Sequence, residues 1–155
     1  MDNITPINPT ISVLLDEFFS SYKPVAAPAL RERIDRAHSH LCVHLEDEGP
    51  RELTRPQLVI LEADRAFDPH DAFARTMHAP ELYFALARYL GPESAMEGDA
   101  QRGTQVDVVA AWASFLWSKR LISLGDVSEC DVTEFDIAME KARNVRRRSP
   151  RNGGR

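Results

Sequence analysis

Apolar residues recur every three or four positions along most of this 155-residue chain. That spacing places them on one face of an α-helix, whereas a half-buried strand would alternate apolar and polar positions. Proline, glycine and small polar residues separate the runs, as is typical of helix ends. The apolar runs cover residues 11–22, 30–45, 58–67, 73–77, 82–90, 106–117 and 135–139.

Several helix starts carry capping signals. Thr54 and Gln57 have the spacing of a capping box, in which each side chain bonds to the backbone N–H of the other. Asp68 is predicted to cap the fourth helix, with a proline inside its first turn. Thr104 and Thr133 are predicted to open the last two helices.

The seven runs predict an all-α fold, a single bundle of about six or seven helices. Leu58, Leu61 and Phe67 are predicted to face the core from the third helix, and residues 91–103 form the best candidate for an internal loop. The sixth run is apolar around most of its circumference, as expected for a helix at the centre of a bundle. Its valine-rich part, residues 106–109, is where a strand would compete.

Charge divides the chain into two parts. Residues 1–140 contain all 24 acidic residues and 12 of the 19 basic ones, which leaves a charge of −12. Residues 141–155 contain the other 7 basic residues and no acid, so they carry +7, in agreement with the overall charge of −5. We therefore predict a flexible N-terminus over 1–9, a helical domain over 10–140 and a basic tail over 141–155 that is disordered beyond about residue 146.

The basic tail is the main candidate for function. Arginines can contact nucleic-acid phosphates and release counterions, which makes binding sensitive to salt. Two alternatives stay open: a solubilising tail that folds back on the acidic body, and a segment that enters the acidic groove of a protein partner. The predicted nucleic-acid-binding residues are Lys141, Arg143, Arg146, Arg147, Arg148, Arg151 and Arg155.

Histidines in the second helix offer a weaker candidate, for a metal. Steps of four residues bring His40, His44 and Glu48 along one stripe of the helix, where they could hold a divalent ion. The alternative is that they are polar residues near a helix C-terminus, where the helix dipole favours positive charge. The stripe lies off the line of Leu41 and Leu45, so we expect it to face solvent or the edge of the core.

Catalytic signatures are absent from the sequence. It contains no glycine-rich nucleotide-binding motif, no nucleophile elbow and no H-E-x-x-H zinc motif. Trp112, Phe115 and Trp117 could form a platform for bases, but their helical spacing favours a place in the core. We therefore predict no enzymatic activity and no cofactor; a metal-dependent enzyme is the third alternative.

Compartment signals point to the cytoplasm. Cys42 and Cys130 lie far apart and do not form a C-x-x-C pair, so we expect reduced thiols. No apolar run approaches the length needed to span a bilayer, and the N-terminus lacks the features of a signal peptide.

Part of the chain resembles a known family. Residues 14–22 look like the first helix of the N-terminal core-binding domain of tyrosine recombinases and phage integrases. The helix over 29–45, the turn at Gly49 and Leu53-Thr54 continue the likeness. Residues 115–122, an aromatic and apolar group followed by basic residues, are similar to the helix that ends those domains.

The resemblance implies a SAM-like helical bundle that grips DNA. The helices over 68–91 depart from the family, which has a shorter connection there. The family's catalytic domain has no counterpart, since Tyr22, Tyr83 and Tyr89 all fall in predicted early helices, and strand exchange is not expected.

Together these observations predict a non-catalytic helical module that associates with DNA or RNA, chiefly through its basic tail. The alternative is a protein-interaction or regulatory module, such as a homodimer, that uses apolar surface around residues 83–90 or Trp117. In neither case do we expect a membrane partner.

Overall fold

The computed structural model describes residues 8–148, with side chains as far as Asn144. Within that range the chain forms seven α-helices and no strand, which confirms the all-α prediction. Short 3-10 turns occupy Lys23–Val25, Gly49–Glu52 and Pro92–Ser94. The helices are α1 (Ile11–Tyr22), α2 (Pro28–Glu48), α3 (Arg55–Phe67), α4 (Ala72–Thr76), α5 (Ala79–Tyr89), α6 (Asp99–Ser118) and α7 (Glu129–Arg148).

The bundle is built around α2, α5 and α6, which contact one another. The ring of Phe18 on α1 stacks on Trp112 of α6 with centroids 4.0 Å apart, and Trp112 is fully buried, as predicted. On the other side Tyr83 of α5 stacks on Phe135 of α7 at 4.6 Å. These aromatic contacts join the first and last helices to the centre. No helix in the described part of the chain is both long and apolar enough to cross a membrane.

The end of α2 fits closely against α4. A Cβ atom on Gly49 would lie 2.6 Å from Cζ of Phe73, so the Phe73 ring occupies the space that any side chain would need. The Glu46 carboxylate accepts hydrogen bonds from the N–H groups of Phe73, at 3.1 Å, and Ala74, at 3.3 Å. Because α4 has only five residues, these contacts from α2 stabilise a helix too short to form alone.

The predicted start of α3 is confirmed, and the predicted start of α4 is corrected. The Thr54–Gln57 capping box is present, with Thr54 N–H donating to Oε1 of Gln57 at 2.9 Å. Asp68, in contrast, does not cap α4; its carboxylate accepts from the N–H of His70 at 3.0 Å. The N-cap of α4 is Asp71, which has a left-handed φ of 57°.

The last two helices begin before Thr104 and Thr133, the residues that were predicted to open them. α6 starts at Asp99, so the internal loop is shorter than 91–103, and Thr104 lies in the second turn with its hydroxyl bonded to the carbonyl of Ala100 at 3.1 Å. α7 starts at Glu129 because Ser128 and Asp131 form the starting bonds: Ser128 N–H donates to Asp131 at 2.8 Å, and Asp131 N–H donates back to the Ser128 hydroxyl at 3.1 Å. The capping spacing of Ser128 and Asp131 is visible in the sequence, but the prediction placed the helix start at Thr133.

The fit at the end of α2 predicts that Gly49→Ala destabilises the protein. The added methyl group must displace the Phe73 ring, and overpacking of this kind costs about 1–3 kcal/mol. Gly125→Ala is the matched control, because its Cβ would meet only the Ser123 hydroxyl at an ordinary 3.4 Å. Urea denaturation measures both; equal free energies of unfolding for the two variants would contradict this account of the α2–α4 contact.

Candidate interaction surfaces

His44 of α2 is a buried residue of the core. Its side chain is 5% exposed, and its Nε2–H donates to the carbonyl of Ala85 on α5 at 3.1 Å. The hydroxyl of Ser94 lies 3.1 Å from Nδ1, where it donates to the neutral ring. The prediction that this stripe faces solvent or the core edge is therefore wrong for His44, because α5 and the turn after it cover that side of α2.

The other two residues of the candidate metal site are engaged elsewhere. Nδ1 of His40 lies 2.9 Å from the hydroxyl of Tyr89, and Glu48 forms an ion pair with Arg51 at 2.9 Å. Among the described residues, no three His, Cys, Asp or Glu side chains are arranged to hold a metal ion. His40 and His44 join α2 to α5 instead.

Burial favours the neutral form of the histidines of α2. Desolvation lowers the pKa of His44 below its ordinary value, and the bond to the Ala85 carbonyl opposes that shift only in part. Desolvation is also the main cause of the lowered pKa of His38 and His40.

A small pocket beside α1 brings a thiol and an imidazole together, but it lacks the chemistry of a nucleophile. The pocket of about 220 Å³ is lined by His38 and Cys42, among others. Burial, reinforced by nearby carboxylates including Asp71, raises the pKa of the Cys42 thiol to about 11. The thiol is therefore protonated at neutral pH, and a protonated thiol is a poor nucleophile.

The basic segment begins as part of α7. Lys141 and Arg143 are exposed on this helix, and within the described residues neither forms an ion pair. The backbone of residues 146–148 continues α7, whereas Arg151 and Arg155 lie outside the described residues. The predicted disorder beyond about residue 146 therefore concerns a segment that lies mostly outside the described residues.

The outer face of α3 is apolar and uncovered. Phe67, predicted to face the core, is 92% exposed, and Val59 and Ile60 are 61% and 55% exposed. Ala63 and Ala66 are exposed between them. At about 100° per residue these five positions fall within an arc of about 120° on one side of the helix. We call this set of five residues the α3 stripe.

The α3 stripe differs from the apolar surface that the sequence predicted. Residues 83–90 are mostly buried against α7 and α2, and Trp117 is half-buried with its ring edge-on to Tyr83. α3, in contrast, buries only Leu61 fully and packs mainly on α4. Scattered apolar residues are common on protein surfaces, but a continuous apolar helix face is typical of an interface.

Comparison of the chain with protein-family models, with characterised proteins and with solved structures found no match. The resemblance to recombinase core-binding domains therefore stays a prediction.

The buried state of His44 predicts a stability that falls with acidification. Because its folded-state pKa is lowered, the unfolded chain binds a proton more readily, so the free energy of unfolding decreases as pH falls below about 6.5 toward the folded-state pKa. His44→Gln should show a smaller decrease than the wild type between about pH 7.5 and pH 5.

Urea denaturation at a series of pH values measures this difference. His70→Gln is the control, since His70 is exposed, and it should keep the wild-type pH dependence. A pH dependence that is identical in the wild type and in His44→Gln would show that His44 does not contribute to it.

Proposed function

We propose that the protein is a non-catalytic helical interaction module that self-associates through the α3 stripe. The observation that supports this proposal most strongly is the apolar outer face of α3, which no described residue covers. A second copy of the chain is the proposed occupant.

The arrangement of side chains along the stripe fits a two-fold pair. Ala63 lies midway between Val59 and Phe67 in the sequence. If two antiparallel copies of α3 cross at Ala63, the small alanines let the helices approach closely, and Phe67 of each copy packs against Val59 of the other. Such reciprocal contacts are the defining property of a two-fold interface.

The dipoles of the two helices fit the same arrangement. In an antiparallel pair, the positive N-terminal end of α3 in one copy lies beside the negative C-terminal end of α3 in the other, which is favourable.

The size of the surface sets the expected strength. A 13-residue helix is about 20 Å long and contributes a few hundred Å² per copy, below the roughly 800 Å² per partner of a standard interface. We therefore expect a reversible dimer that forms at micromolar rather than nanomolar concentrations. Both copies carry a net negative charge, so added salt should strengthen the dimer by screening their repulsion.

Phe67→Ser should shift the protein toward monomer, because it removes the largest side chain of the α3 stripe. We expect the dissociation constant to increase about tenfold or more, since burial of a phenylalanine side chain contributes roughly 1.5–3 kcal/mol. Sedimentation equilibrium over a range of concentrations measures this constant.

Val25→Ser is the matched control, because Val25 is 86% exposed and lies outside α3. It should leave the association unchanged. A wild-type protein that stays monomeric at high concentration and moderate salt would refute self-association, as would a dimer that Phe67→Ser leaves intact.

Nucleic-acid association through the basic end of α7 is the second candidate function. It is supported by the exposure of Lys141 and Arg143 and by the charge of +7 over residues 141–155. A dimer would present two such ends, and two linked contacts bind a long polyanion more tightly than one.

Replacing Arg146, Arg147 and Arg148 with glutamine should weaken DNA binding and its salt dependence. Each phosphate contact contributes about 0.9 to the slope of log affinity against log salt concentration, so the loss of three contacts should reduce the slope by about 2–3. Fluorescence anisotropy with a labelled duplex measures the slope.

A variant with Arg31, Arg36 and Arg120 replaced by glutamine has the same net charge and provides the control, since these arginines are exposed outside the basic segment. It should keep the wild-type slope. Equal slopes for both triple variants, or no wild-type binding at low salt, would exclude this function.

A further inference from the structure

An apolar pocket lies between the end of α5, the loop after it and the last part of α7. Its volume is about 540 Å³, within the range of sites for small organic ligands. Its apolar lining consists of Leu90 and Ala142, which are buried, and of Pro92 and Ala95, which are exposed. The polar lining residues are Arg102, Lys141 and Asn144.

Arg102 places a fixed positive charge at this pocket. Its guanidinium donates to the carbonyl of Leu90 at 2.7 Å and to Oε1 of Gln105 at 2.9 Å. Gln105 is fully buried and is itself held by a bond from its amide to the carbonyl of Ser94 at 2.8 Å. The guanidinium is therefore oriented before any ligand arrives.

No carboxylate among the described residues balances this charge. Within the described residues Arg102 forms no ion pair, and none of its remaining N–H groups has a hydrogen-bond partner. Burial without a counterion lowers the pKa of the guanidinium, although it stays protonated at neutral pH. A half-buried guanidinium with N–H groups left over can donate charge-assisted hydrogen bonds to an anion that binds beside it.

We propose that this pocket binds a small amphipathic anion whose head group contacts Arg102 and Lys141 and whose aliphatic body lies on Leu90, Pro92 and Ala142. The lining decides the class of ligand. None of the described residues that line the pocket is aromatic, so it offers no stacking surface for a nucleobase, whereas its aliphatic walls suit an alkyl chain. A medium-chain fatty acid or an alkyl phosphate has this chemistry. This site does not depend on self-association or on nucleic-acid binding.

Isothermal titration calorimetry of the full chain with decanoate, decyl phosphate and decanol tests the proposal, at ligand concentrations too low for micelles. One or both anions should bind at one site per chain, and the comparison between them identifies the preferred head group. Decanol should bind at least about tenfold more weakly, because its neutral hydroxyl can accept a hydrogen bond from Arg102 but lacks the negative charge that attracts the guanidinium.

Two variants locate the site. Arg102→Gln should weaken binding of the anion about tenfold and weaken binding of decanol much less, because only the anion loses a charge pair. Ala95→Trp should abolish binding of all three compounds by filling the pocket; Ala95 is exposed, so the larger side chain does not disturb the core. Ala95→Trp keeps the test valid if the loss of Arg102 also destabilises the end of α5.

Arg143→Gln is the matched control, because Arg143 is exposed on α7 but does not line the pocket. It should bind the anions as the wild type does. The proposal is overturned if neither anion binds, if decanol binds as tightly as the anions, or if Ala95→Trp binds them like the wild type.

Discussion

The close contact between the end of α2 and α4 fixes the position of α3, and therefore decides which face of α3 stays exposed. Phe73 occupies the space left by Gly49, and Glu46 caps α4 across the same contact. Arg65 of α3 donates to the carbonyl of Glu46 at 2.8 Å, so α3 is held at this point as well. Because α3 is attached through α4 and the end of α2, one of its two apolar faces meets the body and the other, the α3 stripe, stays outside.

Buried polar groups connect the helices at the opposite side of α2. His44 joins α2 to the carbonyl of Ala85 and to Ser94, while Gln105 joins α6 to Ser94 and accepts the N–H of Met96 at 3.0 Å. Such a network is favourable only when its members are satisfied together, and it fixes the loop after α5 in one position. The same network orients Arg102, so the pocket beside α7 follows from the way the core satisfies its polar atoms.

The two proposed macromolecular surfaces rest on different forces. The α3 stripe offers apolar area, and its association would gain from screening of the negative body. Lys141 and Arg143 of α7 offer positive charge without carboxylate partners among the described residues, and their contacts would weaken with screening. Because negative and positive charge are separated along the sequence, one protein can carry both surfaces, and their associations would respond to salt in opposite directions.

Local signals in the sequence determined the helices. Periodic apolar residues and capping motifs such as Thr54 with Gln57 act within a few residues of each other, so they can be recognised without the fold. For Phe67 and His44, however, tertiary structure decided whether the side chain faces the core or the solvent. Phe67 faces solvent and His44 faces the core because α4, α5 and the loop at 92–94 cover particular sides of α3 and α2, and no local pattern states which side a distant helix will cover. Arg102, in the predicted loop, became part of a pocket only when α7 folded beside it.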